Sequence, residues 1–395
     1  PVAGSAYTSS YVEMGEFLAW IIGWALILEY ALASATVAIS WSQYLNKLFG
    51  GAIPYEWCHS PFEIENGVRG IMNVPALVIL VLLTLVLIRG TKESATLNAI
   101  IVFIKVAIVL LFIGLGWQFI NPANHTPLMI PEGTPGHDSW KEWGWGGVMG
   151  GASIVFFAFI GFDAVSTAAQ EAKNPKRDMP IGILGSLVFC TILYILFSYV
   201  LTGVAPWSEF ATAGKEASVA YAIDTYMPGY EWLSLFITIA ILAGFSSVIL
   251  VMLLGQSRVF YSMANDGLMP KIFSELHPTY RTPYKSNWIL LGFTAIFGGF
   301  VPVSVAGDLT SFGTLFAFVL VCVAVWIMRV KNPEVPRAFK TPLVPLVPIL
   351  GIVICSLLII SLDGFTQLVA FAWMGIGLVI YFAYGKKHSH LQNKK

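Results

Sequence analysis

Ten long runs of this 395-residue chain carry almost no charge, and each is near the roughly 20 apolar residues that a helix needs to cross a hydrocarbon layer about 30 Å thick. They are Glu16–Leu45, Met72–Ile88, Thr96–Ile120, Gly147–Gln170, Ile181–Ala205, Trp232–Ser262, Asn287–Pro302, Leu309–Met328, Leu343–Ser361 and Gly364–Tyr384. None shows the strict alternation of a barrel strand. The chain therefore reads as an all-α integral membrane protein, whose first and sixth runs are long enough to require tilt or projection beyond the bilayer. Composition agrees: 57% of the residues are apolar and 11% charged, against the roughly 25% charged of a soluble domain.

The loops carry the orientation. If the first run starts in the cytoplasm, seventeen of the 22 Lys and Arg fall on that side, from Arg89 and Lys92 to Lys394 and Lys395. Only Lys47, Arg69, Lys141 and Lys215 fall opposite, and Lys105 lies inside a run. That bias predicts a multi-pass protein of the cell membrane with both chain ends cytoplasmic. A formal net charge of zero offers no basic surface to nucleic acid. No basic leader precedes the first run, so no signal peptide is expected, and four cysteines without metal spacing predict no disulfide framework. The connection Asn121–Trp145, rich in Pro and Gly, is expected to be only partly ordered. Its Asn124-His125-Thr126 fits a glycosylation tripeptide, a pattern short enough to arise by chance.

An ionised side chain in hydrocarbon costs at least about 2.5 to 3.5 kcal/mol, so an acid or base inside a run needs a partner, a water cavity or both. Three residues qualify: Glu29, Lys105 and Asp163. Lys105 sits nine residues into its run, about 14 Å deep and near the midplane. It is a proton-titrating amine, or a built-in cation replacing a coupling sodium ion, or else a fixed structural cation paired with a carboxylate or backbone carbonyls. Glu29 either joins a proton or water network or bonds a neighbouring helix.

The fourth run reads Gly150-Gly151-Ala152-Ser153-Ile154-Val155-Phe156-Phe157-Ala158-Phe159-Ile160-Gly161-Phe162-Asp163. Glycine and a carboxylate among phenylalanines suit a helix that breaks in mid-membrane, offering freed carbonyls to an ammonium group while Asp163 caps the second half or pairs with a cation. The alternative is an unbroken helix in which Gly146, Gly147, Gly150 and Gly151 form two GxxxG pairs against a neighbour. In the sixth run, Ser246 and Ser247 either face a ligand or bond their own helix one turn back. All six histidines fall in loops or the tail, and no HExxH, GxSxG or Walker pattern occurs. Charged rings and repeated carbonyl filters are also missing, so neither an enzyme nor a channel is expected, and no cofactor.

Three blocks in this order resemble the amino acid-polyamine-organocation superfamily, and within it the bacterial relatives of the cationic amino acid transporters. They are Pro1-Val2-Ala3-Gly4-Ser5-Ala6-Tyr7 with Gly23-Trp24 through Glu29-Tyr30; Phe159-Ile160-Gly161-Phe162-Asp163 continuing to Glu171-Ala172-Lys173-Asn174-Pro175 and Pro180; and Gln256-Ser257-Arg258 through Asp266-Gly267-Leu268-Met269-Pro270.

The resemblance implies a LeuT-type fold of two inverted five-helix repeats plus two appended helices, ten of the usual twelve being present. Residues 1–120 would hold family helices 3 to 5, 121–146 an extracellular loop, 147–330 helices 6 to 10 and 331–395 the appended pair with its tail. The first two helices would precede Pro1, and without them this stretch would not transport. Carbonyls around Phe157, Ala158 and Ile160 would receive a substrate amino group, Phe159 would gate the site, and Asp163 would stabilise the unwound segment. Lys105 and Glu29 would serve proton coupling, with Ser246 and Ser247 near the substrate side chain. The implied activity is proton-coupled import of a small neutral or cationic L-amino acid, or else exchange of amino acids or polyamines, or a sensor that keeps the fold without transport. The partners implied are the amino acid, protons and membrane lipid.

Overall fold

The computed structural model describes residues 7, 8, 11, 14–90, 95–166, 172–337 and 339–391. Pro1–Ala6, Lys92, Gln170, Glu171, Lys394 and Lys395, on which parts of the sequence reading rest, lie outside the described residues. Each of the ten apolar runs contains a helix. The helices are α1 (Glu16–Leu48), α2 (Val74–Arg89), α3 (Ala95–Gly116), α4 (Gly144–Val155), α5 (Pro175–Val204), α6 (Ser218–Tyr226), α7 (Glu231–Asn265), α8 (Tyr284–Phe300), α9 (Val303–Lys331), α10 (Leu346–Ser361) and α11 (Gly364–Ile380). Only α6 falls outside the apolar runs; it is nine residues long and buries Ala220, Ala222 and Ile223. Among the described residues the strands are confined to a hairpin of β1 (Ile64–Glu65) and β2 (Val68–Arg69), turned at Gly67 with φ of 79°. Among the described residues seven helical segments are long and apolar enough to cross a membrane, so the fold is an all-α integral-membrane bundle.

α1 is apolar on every side, and a helix of that kind belongs in the middle of a bundle. Trp20, Leu26, Tyr30 and Leu32 are fully buried, and α7, α9, α8 and α2 all pack on α1. α5 shows the opposite pattern, with Ile181, Val188, Ile192 and Ile195 more than half exposed. Hydrocarbon is the solvent that suits such a face. Two crossings are close because glycine allows it. A methyl group at Gly313 of α9 would lie 2.5 Å from Leu28 Cβ and 2.8 Å from the Ala25 carbonyl oxygen, and one at Gly377 of α11 would lie 2.3 Å from the Trp24 ring. Trp24 stacks on Trp373 at 4.4 Å and donates its indole N–H to the Trp373 carbonyl at 2.8 Å, while Trp20 donates to the Gly377 carbonyl at 2.9 Å. These bonds satisfy the indole donors inside an apolar interior.

The C-terminal turn closes back on the start of α1. The Ser389 hydroxyl donates to the Glu16 carboxylate, which also accepts from the Tyr381 hydroxyl at 3.0 Å, and Tyr7 donates to Asp266 at 2.7 Å.

The connection before α4 is better anchored than its composition suggests. Asn124 donates to the Gly203 carbonyl at 2.6 Å, His125 stacks on Tyr199, and Lys141 donates to the Leu362 carbonyl at 2.8 Å. The expectation of partial order is corrected by these contacts, in which side chains of the loop find carbonyls at the ends of α5 and α10. The Asn124 amide is engaged there, which favours chance as the origin of its tripeptide. Gly146, Gly147 and Gly150 lie against the backbone of Trp140–Glu142, where the loop folds over α4, so they serve that approach instead of a GxxxG crossing with another helix.

Gly313→Ala is expected to destabilise the protein by about 1–3 kcal/mol through overpacking, whereas Gly375→Ala, with nothing within 4 Å, should be neutral. Thermal unfolding in detergent compares the two, and an unchanged midpoint for Gly313→Ala would remove the close crossing from the account.

Candidate functional site

α4 stops at Val155. A 3-10 turn over Phe156–Phe159 follows, Ile160 is extended with ψ of 132°, and Gly161 takes φ of +117°, a conformation that L side chains rarely adopt. Of the two readings of the fourth run, the broken helix is the one observed. The break changes the bonding of carbonyl groups partway along the fourth run, and two of them have identified partners. Phe157 accepts from the Ile160 N–H at 3.1 Å, and Ala158 accepts from the Tyr194 hydroxyl of α5 at 2.7 Å. The Tyr194 ring also meets Phe159 edge-on at 5.1 Å. Sequence reasoning missed Tyr194 because one tyrosine in an apolar run has the pattern of any lipid-facing aromatic. Only the fold brings it to the break.

Past the break, the Asp163 carboxyl lies near that of Glu29 on α1, close enough for the two to interact. Glu29 is fully buried, and all four carboxyl oxygens are shielded from solvent. As two carboxylates they have no hydrogen-bond donor among the described residues, because a carboxylate only accepts. Their contact becomes a hydrogen bond when one carboxyl carries a proton. The backbone N–H groups of Gly161 and Ala164 lie near Asp163 without the geometry of a full hydrogen bond.

Lys105 of α3 is half-buried and appears in none of the ion pairs among the described residues. Its stem lies along α7 at Gly244, where a methyl group would come 3.1 Å from Lys105 Cε. Lys105 and Tyr194 line one cavity of about 370 Å³, whose other walls include Ile108, Val109, Phe197, Ile241 and Val248. This places Lys105 and the break on the two sides of Tyr194. Ser246 donates to the Leu242 carbonyl of its own helix at 2.8 Å, and Ser247 is half-buried one residue on.

At the other end of α1, its connection to α2 is fastened to the segment before α6. Buried His59 pairs with Glu216, stacks on Tyr55 at 3.7 Å, and has Cys58 Sγ 3.3 Å and the Tyr55 carbonyl 2.9 Å from Nδ1. Burial opposes the charged imidazole, but the contacts with Cys58 and Glu216 outweigh it and raise its pKa to about 10. Lys47 adds an ion pair to Asp224 of α6 at 2.7 Å.

A helix interrupted within an apolar run and ionisable side chains buried in such runs are features of membrane transporters. The sequence pattern of the amino acid permease family matches residues 1–383, and the chain belongs to that family, a branch of the amino acid-polyamine-organocation superfamily. It is a membrane-embedded permease, not an enzyme. The chain is 43% identical over 99% of its length to the branched-chain amino acid permease BcaP of Bacillus subtilis, covering 81% of that protein. It is 39% identical over the same share to the methylthioribose transporter of that organism, again covering 81% of it. The vacuolar cationic amino acid transporter 4 of Arabidopsis thaliana is 32% identical over 85% of this chain and 54% of that protein. The cationic transporters are thus relatives, as the motifs implied, but the chain is more similar to the branched-chain permease.

Tyr194→Phe removes the hydroxyl that fixes the Ala158 carbonyl and keeps the ring against Phe159. It should weaken amino acid binding about three- to tenfold, the worth of one hydrogen bond, with little change in folding. Unaltered affinity by scintillation proximity binding would separate Tyr194 from the site. A raised His59 pKa stabilises the fold fully below the unfolded value of about 6.5, and the contribution disappears as pH rises through about 10. Thermal stability should therefore decline between those limits, and His59→Gln should flatten the decline.

Proposed function

We propose that the protein is a secondary active permease that couples import of a small neutral L-amino acid to protons by alternating access. The observation that carries this reading is the interruption at Phe156–Gly161, whose Ala158 carbonyl is tied through the Tyr194 hydroxyl to the wall of an apolar cavity. Carbonyls around Phe157, Ala158 and Ile160 would accept from the substrate ammonium, Phe159 would cover it, and Ser246 and Ser247 would lie toward its side chain. Asp163 would support the unwound segment, while Glu29 and Lys105 would carry the coupling proton. No acid lines the cavity, and its walls are mostly aliphatic or aromatic, which favours an apolar over a cationic substrate side chain. The similarity to a branched-chain amino acid permease is in keeping with an uncharged substrate side chain.

The frame in which this works is the LeuT-type pair of inverted repeats. α1 to α3 would be family helices 3 to 5 and α4 with its break helix 6. α5, α7, α8 and α9 would be helices 7 to 10, and α10 and α11 the appended pair, with both chain ends cytoplasmic. In segments, residues 1–120 and 147–330 would belong to the two repeats, 121–146 to an outer loop and 331–395 to the appended pair and tail. The seventeen-to-four division of loop cations supports that orientation.

Uptake of labelled amino acids by the full-length protein in proteoliposomes, with proton and sodium gradients imposed separately, tests the reading. Accumulation of neutral amino acids under the proton gradient alone is expected, and Lys105→Gln should reduce it at least about tenfold while leaving folding intact. Flux only into preloaded vesicles would make the protein an exchanger, and no flux would make it a sensor or scaffold. An unchanged pH profile for Lys105→Gln would remove the amine from coupling.

A further inference from the structure

Gln256 is 1% exposed, and neither its amide oxygen nor its amide nitrogen has a protein partner among the described residues. An unpaired buried polar group is costly, so such a side chain normally has a water or a ligand beside it. Its level in the bundle is fixed by two contacts between the antiparallel helices α1 and α7. A methyl group at Gly255 would lie 3.1 Å from the Tyr30 ring, and one at Gly23 would lie 2.9 Å from Met263 Sδ. Residue 255 thus stands opposite 30 and 263 opposite 23, which sets Gln256 at the level of Glu29. Met252, one turn earlier on the same side of α7, approaches Gly161 of the break, two residues before Asp163. Glu29, Asp163 and Gln256 thus come from three segments to one level of the bundle, and all six of their side-chain oxygen and nitrogen atoms are buried without a hydrogen-bond partner among the described residues.

We propose that these three residues form one hydrated site, in which Gln256 holds a buried water against the Glu29–Asp163 pair and so positions the proton that the pair shares. The inference rests on the proton-coupled reading above and adds a positioning residue to it. The amide suits the task because it both donates and accepts. Through the water, its N–H₂ stabilises the pair when the proton has left, and its carbonyl accepts when the proton has returned. An apolar side chain of the same length does neither. Glu29, Tyr30 and Asp163 are the titratable groups at this level. Lys105 meets α7 at Gly244, about three turns away, and Arg258 is two residues along α7. Arg89 and Lys285 lie at helix ends on α2 and α8, Asp224 lies on α6, and Tyr7 and Asp266 lie at the far end of α7.

The test uses the full-length protein in proteoliposomes, with proton-driven accumulation and exchange between preloaded vesicles both followed against pH for Gln256→Leu and Gln256→Asn. Gln256→Leu should keep exchange within about twofold, lose proton-driven accumulation about tenfold and shift the pH midpoint, with Gln256→Asn restoring part of the midpoint because it keeps an amide. If Leu is not tolerated, Gln256→Met, which preserves length without the amide, carries the same expectation. A wild-type pH profile in the Leu or Met variant would overturn the proposal while leaving the permease reading intact, as would equal loss of exchange and accumulation in a folded variant. Absence of proton-driven uptake by the unsubstituted protein would overturn the coupling reading and this proposal with it.

Discussion

Two carboxyl groups buried against one another inside an apolar bundle cannot both be ionised without placing like charges in contact where water does not screen them. The Glu29–Asp163 contact is that constraint, and much of the architecture is what such a contact needs. It requires a helix buried on every side to carry Glu29, which α1 supplies, and a segment free to turn its backbone, which the Gly161 conformation supplies. A regular helix through Phe156–Asp163 would keep its carbonyls bonded internally and fix the direction of Asp163. Breaking the helix frees carbonyls and redirects the acid in one step, which links the place where a zwitterion would bind to the place where a proton would reside.

Tyr194 gives that link a physical form. Its hydroxyl holds a freed carbonyl, its ring touches Phe159, and it shares a cavity wall with Lys105. In the account offered here, substrate arriving at the Ala158 carbonyl is felt by Tyr194 and by the amine beyond it, while the carboxyl pair lies on the other side of the same interruption. A bistable element biased from both sides is what coupling between substrate and proton demands.

The apolar runs were legible because membrane-spanning length is a one-dimensional property: each holds a helix, and among the described residues seven of these helices are long and apolar enough to cross a membrane. The break was legible in part, since Gly161 among phenylalanines with Asp163 two residues on names both the flexible backbone and the charge it serves. The role of the other glycines was not. Gly146, Gly147 and Gly150 have the spacing of a helix crossing, yet the loop that folds over them is distant in no sense that spacing can express. α6 escaped notice because nine amphipathic residues in a polar connection look like a loop. The roles of Tyr194 and Gln256 escaped for a different reason: the meaning of each comes from the register of a second element, which the sequence does not give. Ser246 has so far shown the plainer of its two roles, a bond to its own helix.

The most direct test of the account is difference infrared spectroscopy of the reconstituted full-length protein, recorded as pH is raised and as amino acid is added. The account predicts the carbonyl stretch of a buried protonated carboxyl at neutral pH, perturbed by substrate and altered in both Glu29→Gln and Asp163→Asn. A spectrum without that band, or a band that neither substitution changes, would show that the two carboxyls do not share a proton and would contradict the account.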